Sequence, residues 1–249
     1  PGARASGPIR MASQRQKPVT TARRSDQRAA LRTATPGLSE QLRQHTRDCH
    51  RRAERAGIVG DIVRGTVSRS AYSLYLRNLQ PVYTRLERRL AAWRSDPALG
   101  ALADPALCRS QALAHDLDRI AGHDWPRTLP RVPAGEAYEQ SVAQADGPTL
   151  VAHAYARYLG DLNGGRLLQR LLAQSLALTP DCLTFFRFST STDIAGLQSA
   201  VRRAIDAGVA AADTARVLEA ARRAFELNIA LAEDVLTPTA NTSVADQSD

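Results

Sequence analysis

The chain has 249 residues, of which 43% are hydrophobic, enough for one large domain or two small ones with a substantial core. Its formal net charge is +8, but residues 1–35 contain eight basic residues and one acidic residue, so residues 36–249 are nearly neutral. This distribution excludes a strongly basic folded domain of the kind that binds nucleic acid. No apolar run reaches the ~18 residues that a transmembrane helix requires, so we expect no membrane anchor.

The three cysteines, Cys49, Cys108 and Cys182, are far apart and form no Cys-x-x-Cys pair. An odd number of widely spaced cysteines argues against a disulfide framework and against a zinc site. The same pattern fits a reducing compartment, so we expect a cytoplasmic protein.

Residues 1–35 contain no aromatic residue and no apolar periodicity, and we predict that they form a disordered, arginine-rich tail. This segment lacks the apolar central region of a secretory signal. An organelle transit peptide and a nucleic-acid-binding arm are alternatives, although the arm would have no interleaved aromatic residues. The polar residues 238–249 are predicted to be a flexible C-terminal tail, which leaves residues 36–237 as the folded domain.

From Leu38 onward the apolar residues have helical spacing almost throughout. We predict a first helix that begins with Ser39 as its N-cap and ends at Gly57. A longer helix starts near Ser68 or Ser70, and Pro81 inside it should kink it. Its apolar and aromatic residues recur every three or four positions and mark one buried face: Tyr72, Tyr75, Leu76, Leu79, Tyr83, Leu86, Leu90 and Trp93.

The rest of the domain is also predicted to be helical. Further helices are expected at 113–120, 135–145, 148–178, 193–209 and 213–236. Phe185, Phe186 and Phe188 are predicted to anchor a loop in the core. Because no segment has the pattern of a strand, the predicted fold class is all-α, with a single domain.

The helix at 148–178 contains the most unusual stretch of the chain. Gly160, Gly164 and Gly165 share one flank of it, and Asp161 lies within a turn of the last two. Three glycines cost about 3 kcal/mol relative to alanine in a helix, so the bare backbone must serve a purpose. Two interpretations remain open at this point, close packing of another helix and a flat ligand beside which Asp161 organises water.

The five histidines are His45, His50, His115, His123 and His153. They form no i, i+4 pair and no Glu-x-x-His arrangement of the kind found in zinc or di-iron helix sites. A haem site needs fewer protein ligands, since one proximal imidazole is enough to bind the iron. Glu54 lies four residues after His50 and can reach its non-ligating ring nitrogen, although such pairs are also common on solvated surfaces.

Several segments together resemble the haem oxygenases. Residues 158–165, Tyr-Leu-Gly-Asp-Leu-Asn-Gly-Gly, are similar to the distal-helix signature of that family, and residues 38–54 resemble its proximal helix. The similarity continues at 150–155 and 224–229, in the same order along the chain. It implies an all-α helical bundle in which haem lies between a proximal and a kinked distal helix, and we expect a monomer.

The resemblance also implies roles for individual residues. His50 matches the axial ligand of the haem iron, and Glu54 matches the residue that orients it. Gly160, Gly164 and Gly165 match the glycines that let the distal helix approach the porphyrin closely.

Polar residues beside the distal helix match as well. Tyr83, Arg157 and Asn228 correspond to members of the distal polar network. Asp161 matches the distal carboxylate, which acts through water without touching iron. The chain departs from the commonest pattern at Asn163, where serine is usual, and at Arg166, where glutamine is frequent. The longer, charged Arg166 is the departure with the larger expected effect on how haem is seated.

Basic residues are expected at the haem propionates. Arg43 stands where the family usually has a basic residue at the propionates. Tyr155, which is polar but not basic, is a second candidate for a propionate contact. Either Arg202 or Arg203 should provide another basic contact, but the register of that helix leaves the choice open.

The activity implied by the resemblance is the cleavage of haem to biliverdin, CO and ferrous iron. Haem is then both substrate and cofactor, and O2 and external electrons from a ferredoxin or an NADPH-dependent reductase are required. Arg51, Arg52 and Arg55 lie near the proximal histidine and favour an acidic redox partner. The alternatives are a haem-binding or haem-trafficking protein without turnover, and a thiaminase-like all-α enzyme, which would rely on a catalytic cysteine or on carboxylate and histidine clusters.

Overall fold

The computed structural model describes residues 36–188 and 193–237, together with Gly2. The predicted tails at 1–35 and 238–249 therefore lie outside the described residues, apart from Gly2. Within this part of the chain the regular structure is helical and no strand occurs, as the sequence predicted. The helices belong to a compact unit that begins at Gly37.

The α-helices are α1 (Leu38–His45), α2 (Arg47–Ala53), α3 (Gly57–Arg64), α4 (Arg69–Leu90), α5 (Ser110–Ala121), α6 (Trp125–Thr128), α7 (Pro133–Gln144), α8 (Gly147–Ala154), α9 (Gly160–Ser175), α10 (Ile194–Gly208) and α11 (Thr214–Asp234). Short 3-10 helices lie at Ala91–Trp93, Gly100–Ala103, Pro105–Leu107, Pro180–Cys182, Thr184–Phe186 and Ala211–Asp213. Among these described helices we find none with both the length and the apolarity to cross a bilayer.

The core forms around α4 and α11. Helix α4 packs against α5 and α7, while α11 packs against α7, α8 and α2. The residues predicted to form the buried face of α4 are buried from Tyr72 to Leu90, whereas Trp93 is only partly buried. Ser68 is the N-cap of this helix, and its hydroxyl accepts a hydrogen bond from the Ala71 amide at 3.1 Å, as one of the two predicted starts requires.

The first predicted helix is bent into two. Thr46, with φ −95° and ψ 2°, separates α1 from α2. Its hydroxyl donates to the carbonyl of Leu42 at 2.8 Å, a bond back to the preceding turn of the kind that often bends helices. Helix α2, which carries His50, begins directly after Thr46.

The prediction that Ser39 is the N-cap of the first helix was wrong. Gly37 occupies that position, and Ser39 lies in the first turn. Asp206 of α10 accepts hydrogen bonds from the Ser39 amide at 2.7 Å and from its hydroxyl at 3.0 Å. A carboxylate from a distant helix therefore accepts a hydrogen bond from a backbone N–H group at the N-terminus of α1, where a local side chain usually does so.

The glycine-bearing helix predicted at 148–178 consists of three pieces. Helix α8 leads into a π-helical segment at Tyr155–Leu159, which leads into α9. A π turn is wider than an α turn and appears frequently at functional sites. Phe185 and Phe186 are buried beside α9, as predicted for core anchors of a loop, and Phe188 is partly buried.

His153 of α8 is the buried titratable group with the clearest consequence for stability. It is 3% exposed, its ring lies 5.9 Å from that of Tyr138, and burial, with a smaller effect of Arg89, lowers its pKa to about 4. The unfolded chain therefore binds a proton in a pH range where the folded chain does not. The contribution of His153 to the free energy of unfolding is complete above about pH 6.5 and is lost as the pH falls toward about 4.

We expect His153→Leu to flatten this pH dependence. At about pH 5 the proton bound only by the unfolded chain accounts for about 2 kcal/mol of lost stability, which the variant should not lose. Urea unfolding of both proteins near pH 7 and pH 5 measures the difference. His123, whose side chain is 91% exposed, supplies the control variant His123→Gln, which should keep the dependence of the wild type. If His153→Leu and the wild type lost the same unfolding free energy between pH 7 and pH 5, the assignment would be contradicted.

Candidate functional site

A cavity of about 620 Å³ lies among α2, α3, the π-helical segment, α9 and α11. Its volume falls within the range of about 300–1,000 Å³ typical of small-molecule sites. Most of its surface is apolar, and its polar groups come from both sides. The lining residues of the proximal side are His50, Ala53, Glu54, Val59 and Val63, and those of the glycine-bearing side include Ala156, Arg157, Gly160, Asp161, Asn163, Gly164 and Leu168.

His50 and Glu54 are placed together at the edge of this cavity. The Nδ1 atom of His50 lies 3.3 Å from Oε1 of Glu54, and the imidazole side chain is 48% exposed. The ring of Phe225 lies 5.7 Å from the imidazole ring on another side. Because Glu54 engages Nδ1, the opposite nitrogen, Nε2, is the one that a metal could bind.

The three glycines do not have the same surroundings. A Cβ atom added to Gly160 or Gly164 would meet no other atom within 4 Å, and both residues line the cavity. A Cβ atom on Gly165 would instead lie 3.5 Å from the ring of Phe186. Gly160 and Gly164 therefore leave bare backbone facing open space, as expected for a ligand, while Gly165 also allows close packing.

Asp161 is held by a buried polar network. Its Oδ2 accepts a short hydrogen bond from the hydroxyl of Tyr83, and its Oδ1 lies 3.5 Å from Nη2 of Arg157. Arg157 also donates to the Tyr83 hydroxyl at 2.9 Å and to Oδ1 of Asn228 at 2.5 Å. The structure thus brings together four residues from α4, the π-helical segment, α9 and α11 that the sequence assigned to one network.

Burial dominates the electrostatics of this network. It raises the pKa of Asp161, although the nearby Arg157 charge and the hydrogen bond from Tyr83 act in the opposite direction. Burial likewise raises the pKa of Tyr83 well above its usual value, so that hydroxyl stays protonated and can donate. The Asp161 side chain is 9% exposed and borders the cavity, which lets it exchange hydrogen bonds with a molecule inside.

A second, smaller cavity of about 150 Å³ shares His50 and Gly160 with the first. Its basic lining residues are Arg43 and Arg202, whereas Arg203, the other predicted candidate, is not among its lining residues. The register of α10 therefore places Arg202 at this site.

Two further candidates border the smaller cavity. The Tyr155 hydroxyl lies 3.2 Å from the Thr46 hydroxyl. The guanidinium of Arg43 donates two hydrogen bonds to Glu40, at 2.6 and 2.7 Å, and with Gln44 it lowers the pKa of that carboxyl to about 2. Arg43 thus reaches the cavity as half of an ion pair.

The model of the family described as "Heme oxygenase" matches residues 36–234. The chain belongs to the haem oxygenase family.

Relatives and solved structures agree with this membership. The chain is 33% identical to Heme oxygenase 1 of Synechocystis sp. over 77% of this chain and 82% of that protein. It is 32% identical to Heme oxygenase 1 of Homo sapiens over 80% of this chain and 71% of the human protein. The crystal structure of the Synechocystis heme oxygenase-1 in complex with heme is similar, with a TM-score of 0.75 and 32% identity over 80% of this chain and 92% of that one.

In this haem oxygenase family member, the two positions that depart from the usual motif differ in importance. Asn163 lines both cavities and accepts a hydrogen bond from Gln198 at 2.9 Å. Arg166 is exposed and does not line either cavity, so the expectation that it affects the seating of a ligand more than Asn163 finds no support in its position.

Sequence reasoning missed several residues of this haem oxygenase site. Tyr75, Phe186 and Phe225 line the larger cavity, but their spacing had indicated only core packing. Helical periodicity cannot separate a residue that faces the core from one that faces a slot inside it. Tyr75 lies eight positions before Tyr83 on the same helix, and this was the available signal that it shares a surface with the network.

Proposed function

We propose that this protein cleaves haem to biliverdin, CO and ferrous iron, using O2 and electrons from a separate reductant. The observation that carries the proposal is the pairing of one glutamate-oriented imidazole with a wall of bare glycine backbone across a single cavity. A protein that only stored haem would need the ligand and an apolar slot, but not Asp161 or the open glycines.

The residues present fit haem. His50 would bind the iron through Nε2, since Glu54 engages Nδ1. Gly160 and Gly164 leave space that side chains would fill, as a flat ring system requires. When bound, haem supplies the iron that binds O2 and the ring that is oxidised.

The glycine wall has a chemical role as well as a steric one. Bare backbone at Gly160 and Gly164 places no oxidisable side chain at this part of the slot. A neutral imidazole ligand also lacks the electron push of a thiolate, which favours O–O cleavage. Both features direct oxidation to the substrate and away from the protein.

Asp161 is the residue we propose for proton delivery. Tyr83 and Arg157 fix its carboxylate at the edge of the cavity, where it can hold a water molecule beside the substrate. A positioned acid–water chain typically contributes about 10²–10⁴-fold to a rate. Arg157 and Asn228 act one step further away by keeping the carboxylate in place.

Arg202, Arg43 and Tyr155 are proposed to hold the carboxylates of haem at the smaller cavity. We expect Arg202→Leu to weaken haem binding by about 1.4- to fivefold, because an exposed charge pair contributes about 0.2–1 kcal/mol. Haem titration followed by absorbance measures the change. Arg203→Leu, one residue along the same helix and outside the cavity lining, is the matched control and should bind as the wild type does. Equal losses in the two variants would contradict the assignment.

A redox partner is part of the proposal. Arg51, Arg52 and Arg55 line a surface depression together with Asp48 and Glu233, and Arg51 pairs with Asp48 at 2.6 Å, which leaves a small positive balance there. Their charge favours an acidic protein such as a ferredoxin or the docking surface of an NADPH-dependent reductase. We also propose that the protein is cytoplasmic, because its three cysteines are free, as expected in a reducing compartment, and that it is a monomer.

The deciding experiment is a turnover assay. The protein is mixed with haemin, a reductant and O2, and absorbance is followed while products are separated by chromatography. Loss of the Soret band with growth of biliverdin supports the proposal. A stable Soret band under the same conditions would show haem binding without turnover, the alternative function that the sequence left open.

A further inference from the structure

Helix α10 places three polar residues at intervals of four, so that they lie along one face of the helix. These residues are Gln198, Arg202 and Asp206. Each of them reaches a different part of the site. Gln198 contacts the glycine-bearing helix, Arg202 lines the smaller cavity, and Asp206 contacts α1.

The contact at the first position is a pair of hydrogen bonds from one amide group. Nε2 of Gln198 donates to Oδ1 of Asn163 at 2.9 Å and to the carbonyl oxygen of Leu162 at 3.2 Å. Asn163 lies between Gly160 and Gly164 in sequence and lines both cavities. These two hydrogen bonds, the tie, therefore attach α10 to the middle of the glycine wall, which is the open backbone of Gly160 and Gly164.

The contact at the third position attaches the other end of α10. Asp206 accepts from the amide and hydroxyl of Ser39 at 2.7 and 3.0 Å. The approach is close, since a Cβ atom on Gly37 would lie 2.8 Å from the Asp206 carboxylate. Helix α1, which carries Arg43, is thereby joined to the same element as the glycine wall.

We propose that Gln198 is a positioning residue that, through Asn163, fixes the glycine wall relative to Arg202 and so determines which meso carbon of haem is oxidised. The inference rests on the proposed function. Arg202 defines the edge of the slot that holds the haem carboxylates, and the wall defines which part of the ring has room above it. If the distance between Arg202 and the glycine wall is fixed, one edge of the haem ring is exposed to oxidation. If that distance varies, more than one edge is exposed.

The test compares Gln198→Leu with the wild type in two assays. In turnover with chromatography of the biliverdin isomers, the fraction of minor isomers should rise several-fold. In the haem-free protein, amide hydrogens of residues 160–166 should exchange up to about tenfold faster, the effect of losing a hydrogen bond worth about 0.5–1.5 kcal/mol. Ser199→Ala is the control, because the Ser199 hydroxyl bonds only locally to the Ala195 carbonyl among the contacts we observe.

A double-mutant cycle separates the tie from other roles of its partners. Asn163→Ala should raise the minor isomers no more than Gln198→Leu does, because it leaves the bond from Gln198 to the Leu162 carbonyl. The double variant should match Gln198→Leu, because Gln198→Leu already removes the bond that Asn163→Ala removes. Additive effects would overturn the proposal, as would an unchanged isomer ratio in Gln198→Leu when the wild type makes biliverdin. Unchanged exchange in haem-free Gln198→Leu would show that the tie does not hold the wall. A wild type that makes no biliverdin would instead reject the proposed function.

Discussion

Replacing His50 with alanine is expected to abolish the spectrum of an imidazole-ligated ferric haem and to reduce biliverdin formation by at least about 100-fold. The magnitude follows because residues that merely orient a metal-ligating histidine are worth about 10- to 100-fold, and the ligand itself should be worth no less. Among the described histidines, His50 is the one that lines the larger cavity, so no other imidazole is placed to replace it.

The measurement is the Soret absorption of the ferric complex, together with the turnover assay. His45→Ala is the matched control, since His45 is an exposed residue on α1 that lines neither cavity. Glu54→Ala should give an intermediate loss, because the ligand remains while its orientation is freed. An unchanged Soret band in His50→Ala would remove His50 from the proximal role.

Replacing Asp161 with alanine should leave haem binding in place and lower the rate of biliverdin formation by about 10²–10⁴-fold. The expected loss arises because the carboxylate that organises water at the cavity edge is gone, while His50 and the glycine wall are untouched. Single-turnover kinetics with haem titration separates the two effects. A normal yield of biliverdin from this variant would falsify the distal assignment.

Folding is the obvious complication for Asp161→Ala. The change leaves the buried Arg157 without its carboxylate, and breaking a buried ion pair typically costs about 3–5 kcal/mol. Tyr83→Phe provides a second test, since it removes only the hydroxyl that donates to Asp161. We expect this variant to fold, to bind haem and to turn over more slowly. Wild-type turnover in Tyr83→Phe would show that the hydroxyl has no role in positioning the carboxylate.

Most of the helices could be predicted because their apolar periodicity is strong. The helix predicted at 113–120 is one example, since α5 ends at Ala121 and Gly122, with φ +84°, follows it. The bend at Thr46 and the cap from Asp206 could not be predicted, because both depend on contacts rather than on local preference. A threonine within a helical pattern bends the chain only when its hydroxyl turns back to the preceding carbonyl.

The candidate site was predictable to the extent that its residues lie in recognisable segments. His50, Glu54 and Asp161 fall in two such segments, and the structure places all three at one cavity. Differences between similar residues were not predictable. Sequence alone could not show that Gly165 faces Phe186, or that Arg202 rather than its neighbour lines the smaller cavity, because each depends on packing between helices.

The π-helical segment at Tyr155–Leu159 has a consequence for how this chain tolerates insertions and deletions. One α-helical residue corresponds to a rotation of about 100°, and a π turn accommodates a residue more than an α turn does. Deleting one residue there as the segment reverted to α geometry would leave the phase of the helix after it nearly unchanged. If the segment kept all its residues and took up α geometry, everything after it would turn by about a third of a circle. Gly160 and Gly164 would then point away from the slot with every motif residue still present. The phase of the helix is as much a part of the site as its residues.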